Sequence, residues 1–302
     1  MEYDFWQQQE PDKPLFPDIE WSKPEQKSAR GKLLIVGGSA HGFAGVGNAY
    51  KVATEAGAGE IKVALPDVLE KKLPPGIDGI FLPTSSGGGI GQKGFDDLSA
   101  AVDWADGVLL IGDCGQNSET ATVFEKLLEG CHPGLDPGSN INNASKTRDQ
   151  SDWILKQVQD DKGGGLELAT GTNKWLTITR DAVDLLRGMG ENLANRPNVN
   201  LVISFAQVQK LFSSVYYPKI LTFSMQLSNI IDALHKFTTT YPITLTVQHN
   251  DQLIVAKNGE VISQKASNPM DLINGTTAAR AATYLLWNKI KSLEAIATSW
   301  QK

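Results

Sequence analysis

Cysteine is nearly absent: Cys114 and Cys131 are the two in 302 residues. Two cysteines cannot build a disulfide framework, and no C-x-x-C spacing occurs, so a reducing, cytoplasmic setting is the expectation. Histidine is as sparse. His41, His132, His235 and His249 are scattered, with none at H-x-x-x-H or H-E-x-x-H spacing, and no metal site is expected. No run of eighteen apolar residues exists, which argues against a membrane span. The first thirty residues lack an apolar leader core, which argues against a secretory signal. Positive charge is in deficit, 28 basic against 34 acidic residues, a net charge of −6. With no basic stripe either, a general nucleic-acid binder is excluded.

What remains is ordinary globular material: 41% apolar and 21% charged residues, enough chain for one or two domains. Residues 1–30, with prolines at 11, 14, 17 and 24, read as an extended arm whose Phe5, Trp6, Phe16 and Trp21 pack on the body. From residue 31 a single domain is expected. Lys32–Val36 is a continuous apolar run closed by Gly37-Gly38, as in a buried parallel strand. A glycine-rich turn (37–45), a small-residue helix (46–56), the stop Gly57 and a strand (61–65) complete a βαβ unit. Strands are expected again at 108–111, 175–179 and 200–204, each followed by helix. Repeated β-then-α predicts a three-layer α/β/α fold with a mainly parallel central sheet. Leu227, Ile230, Ile231, Leu234 and Phe237 mark an amphipathic helix. Asn258-Gly259 marks a hairpin between later strands. One long helix is expected over Thr277–Ile296.

The stretch Cys131–Gly165 breaks this pattern. It is polar and rich in turn formers, and its HPGLDPGS…WILKQVQDD sequence resembles translated palindromic repeats inserted in some bacterial genes. It is read as an inserted surface loop, the alternative being an active-site lid.

Three glycine-bearing turns are candidate sites, each with a structural alternative. Gly37–Gly45 lies between strand and helix, where bare amides cradle anions, but it is neither G-x-G-x-x-G nor a P-loop. Gly112-Asp113-Cys114-Gly115 closes a strand, where open α/β sheets bind ligands; the alternative is a turn before a helix capped by Ser118. Asn274-Gly275-Thr276-Thr277 opens the last helix and forms either an anion hole or a simple cap. Cys114 reads as an apolar filler, His249 as a solvated turn residue and His235 as a surface residue.

The order of these motifs resembles the ADP-dependent NAD(P)H-hydrate dehydratases, the YjeF C-terminal type of the ribokinase-like superfamily. The resemblance covers residues 28–287 apart from the insertion. Gly37-Gly38-Ser39 with Gly42-Phe43-Ala44-Gly45-Val46 is similar to the family's GGS..GytGA, Gly112–Gly115 to its GPGLG, and Thr179–Leu186 to its DADALNLL. Asn274–Ala282 is similar to its GGtGDvLaG. The resemblance implies a ribokinase-like fold and a lyase that removes water from hydrated NADH or NADPH, driven by phosphoryl transfer from ADP or ATP with Mg2+.

It further implies that Gly38, Ala44, Gly45, Val46, Gly112, Gly115 and Ser204 border the dinucleotide. Asn274, Gly275, Thr276, Thr277 and His249 would handle the nucleotide and its phosphates. The chain departs from the pattern where the chemistry sits. Ser204 and Gln207 stand for a histidine and an acid, and Ala278 stands for the catalytic base, with Asp181 and Asp271 as possible substitutes. The expectation is therefore a divergent NAD(P)H-hydrate dehydratase-like protein, retained as an enzyme or reduced to nucleotide binding. The alternatives are a non-catalytic sensor or assembly subunit and a small-molecule kinase of the same superfamily. A homo-oligomer is implied by the resemblance alone.

Overall fold

The computed structural model describes residues 4–130 and 174–301. The insertion expected at 131–165, with Cys131 and His132, lies outside the described residues. The chain divides into two units, Met1–Leu127 with Lys174–Lys302, and Leu128–Asn173; the first carries the sheet.

Ten strands form that sheet: β1 (Trp6–Gln9), β2 (Lys32–Gly37), β3 (Glu60–Pro66), β4 (Asp78–Leu82), β5 (Gly107–Gly112), β6 (Trp175–Thr179), β7 (Val199–Ser204), β8 (Thr244–His249), β9 (Gln252–Lys257) and β10 (Glu260–Lys265). Their order is β1-β10-β9-β8-β7-β6-β5-β2-β3-β4, parallel except for β9, which runs against both β8 and β10. The expected mainly parallel sheet is present. Its central strands are apolar throughout because both faces are covered: every residue of β5 and β6 is buried. The Asn258-Gly259 turn joins β9 to β10 with positive φ at both residues, +49° and +81°.

The helices are α1 (Pro17–Trp21), α2 (Ala44–Ala56), α3 (Phe95–Trp104), α4 (Ser118–Gly130), α5 (Asp181–Leu185), α6 (Gly190–Ala194), α7 (Phe205–Ser214), α8 (Leu227–Thr240), α9 (Met270–Ile273), α10 (Thr276–Trp287) and α11 (Ser292–Thr298). They lie on both sides of the sheet, with α2, α10 and α11 together on one face. Helices α2 and α10 pack on each other, and Ala49 of one and Ala278, Ala279 and Ala282 of the other are small buried residues of the same apolar core. Small residues let two helix backbones approach closely.

Two expectations fail. The single final helix is broken between Trp287 and Ser292. Asn288 is buried there, accepting from the Ser22 hydroxyl at 2.7 Å and donating back to the Tyr284 carbonyl at 3.4 Å. A side chain that bonds nearby backbone in this way competes with the helical ladder. The arm is not wholly extended either. Pro17 opens one helical turn, a position where its missing N–H costs nothing, and Ile19 on that turn is buried. Residues 6–9 of the arm add β1 parallel to β10 at the sheet edge. Trp21, expected to pack, is 86% exposed.

Candidate functional site

The site begins at a reversal of strand order. From β2 the chain winds outward through β3 and β4, then returns to β5 on the other side of β2 and continues the opposite way. A crevice opens outside the carboxyl ends of strands at such a point. Two glycine turns meet there. The Gly38 amide donates to the Gly112 carbonyl at 2.8 Å, and Gly37 lies so close that a Cβ on it would sit 2.4 Å from that same oxygen. Gly112 has φ +90°. Gly38 and Val46 are buried here, and Ala44 is exposed.

Arg180, just past β6, reaches into the crevice. Its Nη2 pairs with Asp113 Oδ1 at 2.6 Å, and the Gly45 amide donates to Asp113 Oδ2. A Cβ on Gly45 would lie 1.8 Å from Arg180 Nη1, and one on Gly275 3.7 Å from Arg180 Cδ. Asp181 accepts from three successive amides, Asp113 at 2.8 Å, Cys114 at 3.0 Å and Gly115 at 3.2 Å. The strand-end turn is thus a backbone anion nest holding the chain's own carboxylate. Gly45, Gly112, Gly115 and Gly275 therefore do converge, around the Arg180–Asp113–Asp181 cluster. Cys114 is buried behind it; burial, then the charges of Asp181 and Asp113, push its thiol far up, as suits a filler and not a nucleophile.

Beside this cluster runs an open cleft of about 490 Å3, lined among others by Arg180, Asp184, Ser204, Gln207, Lys210 and Leu272. Ser204 caps α7. Its amide donates to Gln207 Oε1 at 3.1 Å, and Gln207 N–H returns to the Ser204 hydroxyl at 3.4 Å. Gln207 Nε2 also reaches the Arg180 carbonyl at 2.8 Å and Asp184 at 3.1 Å. Ser204 and Gln207, which the resemblance aligns with a histidine and an acid, are thus a helix cap that also braces Arg180. Burial opposes the Asp184 charge, but hydrogen bonds from Lys210, Gln207 and Arg187 outweigh it and hold the carboxyl below its usual range. A neighbouring slot of about 370 Å3 shares Ser204 and Leu272 and adds Phe205, Phe223 and Pro269.

The start of α10 is tightly bound. Gly275 precedes it in the left-handed region, φ +83°, and the Asn274 side chain accepts from the Thr276 amide at 3.0 Å. Asn48 of α2 donates to the Asn274 carbonyl at 3.0 Å and the Thr276 hydroxyl at 3.1 Å. Thr276 and Thr277 are buried, and Ala278 is fully buried within the apolar core. The other candidates divide. Asp181 lines the cleft but already accepts from three amides. Asp271, on α9, accepts from Asn268 at 2.9 Å and does not line the cleft. His249 corrects the expectation of a solvated turn: it is 3% exposed, packed against Phe205 and Phe223. Burial pushes its pKa down against a smaller opposing pull from the Met225 backbone, and it lies behind the slot rather than in it. His235 is also no free surface residue, since it stacks on Phe5 with ring centroids 3.7 Å apart and bonds the Gly259 carbonyl. The cap of α4 is Asn117, which takes the Glu119 amide at 2.9 Å, and not Ser118.

Sequence reasoning missed Arg180, Asp184 and Lys210 as cleft residues. It also missed residues 83–91, a loop at the same rim in which Gly88 accepts from the Ala40 amide at 2.7 Å and Ser85 bonds Asn117. Its run of three glycines after two serines was a usable signal.

The fold is that of the ribokinase-like proteins. A ribokinase-like superfamily protein from Enterococcus faecalis superposes with a TM-score of 0.66 at 14% identity, covering 99% of this chain and 87% of that one. The ADP/ATP-dependent NAD(P)H-hydrate dehydratase from Bacillus subtilis, co-crystallised with ATP/Mg2+, superposes at 0.51 and 9% identity, covering 95% and 85%. In sequence, the chain is 29% identical over 126 residues to the bifunctional NAD(P)H-hydrate repair enzyme Nnr of Methanothermobacter thermautotrophicus. That match spans 42% of this chain and 24% of the relative. No family model matches. The NAD(P)H-hydrate proteins met here are those the glycine motifs resemble.

Proposed function

We propose that the chain is a divergent ADP/ATP-dependent NAD(P)H-hydrate dehydratase-like protein of nicotinamide nucleotide repair, whose retained element is a nucleotide-binding cleft. The observation that carries this reading is the meeting of Gly45, Gly112, Gly115 and Gly275 at the sheet's strand-order reversal, beside a cleft bearing Arg180 and Lys210. Those two cations would balance phosphate charge. The slot between Phe205, Phe223 and Pro269 offers aromatic faces to a base. Mg2+ finds no cage: among the described residues no three His, Cys, Asp or Glu side chains gather to hold a metal. It would arrive on the phosphates.

Dehydratase turnover needs a proton acceptor, and Ala278 supplies none. A positioned general base contributes typically about 10²–10⁴-fold in rate. The fully buried Ala278, together with the capping roles of Ser204 and Gln207, favours a second reading, a nucleotide-binding sensor or assembly subunit without turnover. A small-molecule kinase would need the same acceptor. The test is direct. Hydrated NADH is incubated with the protein, Mg2+ and ADP or ATP while absorbance at 340 nm is followed, and ATP binding is measured by calorimetry. Recovery of absorbance supports the dehydratase. Saturable binding without recovery supports the sensor, and neither result overturns both.

A further inference from the structure

We propose that the Asp113 carboxylate is an internal stand-in for a ligand phosphate. It holds the Arg180 guanidinium and the Gly45 amide until a phosphate group takes both and Asp113 swings away. The inference rests on reading the cleft as phosphate-handling, but not on the adenine or nicotinamide part of that reading.

Three independent features converge. First, both partners stand at backbone conformations that L residues with side chains seldom adopt, Asp113 at φ +60° and Arg180 at φ +56°. Two such residues joined in one ion pair mark a place where local geometry is held by its surroundings, which is characteristic of ligand sites and switches. Second, Arg180 is incompletely used. Its Nη2 meets Asp113, while Nη1 is buried without a hydrogen-bond partner. A guanidinium presents five donors in a fork shaped for two oxygens of one phosphate. A carboxylate that also accepts from Gly45 serves that fork with one oxygen only. Third, there is room. Asp113 and Arg180 line the cleft of about 490 Å3, and Ser204 and Lys210 belong to the same lining.

Asp181 differs in kind. Three amides hold it, so it stays in the nest as Asp113 leaves. Gly45 is explained as well: any side chain there would displace the Arg180 head.

The probe is inorganic pyrophosphate, titrated into the full chain by calorimetry at low salt. Asn at position 113 tolerates the left-handed region as Asp does, and keeps an oxygen for the Gly45 amide, but carries no competing charge. Asp113→Asn is expected to bind pyrophosphate at least about tenfold tighter than the wild type, because the competing internal anion is gone. Adding Arg180→Gln to it is expected to abolish the gain. In amide-resolved NMR spectra of the wild type, the Gly45 signal should shift on titration. Binding by Asp113→Asn that is equal to or weaker than wild type overturns the proposal, as does a double variant binding like Asp113→Asn or an unmoved Gly45 signal. Should Arg180→Gln fail to fold by circular dichroism, Arg180→Lys keeps the charge and loses the fork. A loss of at least about fivefold then supports the proposal, and unchanged affinity overturns it. ADP failing to bind while pyrophosphate still separates the variants defeats the nucleotide reading alone. ADP binding with Asp113→Asn showing no gain defeats this one alone.

Discussion

Gly112 shows how tightly single positions are specified. It lies at φ +90°, and a Cβ there would fall 2.0 Å from Oδ1 of Asp181, whose carboxylate three amides hold. Gly112→Ala therefore combines a left-handed backbone penalty with ejection of a carboxylate. It is expected to lower unfolding free energy by about 2–4 kcal/mol in urea titrations. His249 gives a pH signature. Burial holds its imidazole below the usual value near 6.5, so the unfolded chain takes the proton first as pH falls. Stability is complete above that value and declines below it. His249→Leu should flatten the fall in urea midpoint between about pH 7 and pH 5 seen in wild type; parallel curves would refute the assignment. At this scale the sequence was partly readable. The three glycine turns announced themselves by composition. The burial of His249 did not, because it depends on Phe205 and Phe223 arriving from two other segments. Nor did Arg180, which lies in the Thr179–Leu186 segment without matching its pattern and sits at a positive φ beside the cleft.

Elements were more legible than side chains, since period and punctuation are local. The apolar run of β2, the stop at Gly57 and the stripe on α8 each sit where the residues put them. The failures are elements whose limits are set at a distance. The last helix ends early because Asn288 bonds Ser22, 266 positions away, and β1 exists because β10 offers an edge. Gln9 fixes that edge. It is 4% exposed, and its amide donates to Gln264 at 2.6 Å and the Ala297 carbonyl at 2.9 Å. Gln9→Leu leaves the Ala297 carbonyl without that donor in a buried place. The expected loss is about 1–3 kcal/mol, with faster hydrogen exchange at the Val261 amide, which donates to Phe5. Unchanged exchange there would show that β1 is held by other contacts.

For the molecule as a whole, α/β class and sheet direction followed from the alternation of strands and helices, and the ribokinase-like fold from the order of motifs. The cleft's chemistry did not follow, because the residues that the resemblance aligns with catalytic ones have structural duties here: a cap at Ser204 and Gln207, a core alanine at 278. The nucleotide proposal has a global readout. A ligand bound at one hundred times its dissociation constant stabilises the folded state by about 2.7 kcal/mol. Saturating ATP with Mg2+ should thus raise the melting temperature by several degrees, and Arg180→Gln should cut that rise. An ATP-induced shift of the same size in the variant would place the phosphates elsewhere.

Asn48 joins helix α2 to the threshold of α10 more than two hundred residues later. A chain still emerging from the ribosome can wind α2 and lay down the early strands, yet Leu272 and Ile273 of the cleft and the α10 start that Asn48 bonds come only much later in translation. If the cleft takes nucleotide as proposed, a message cut short before residue 270 should yield a protein blind to it.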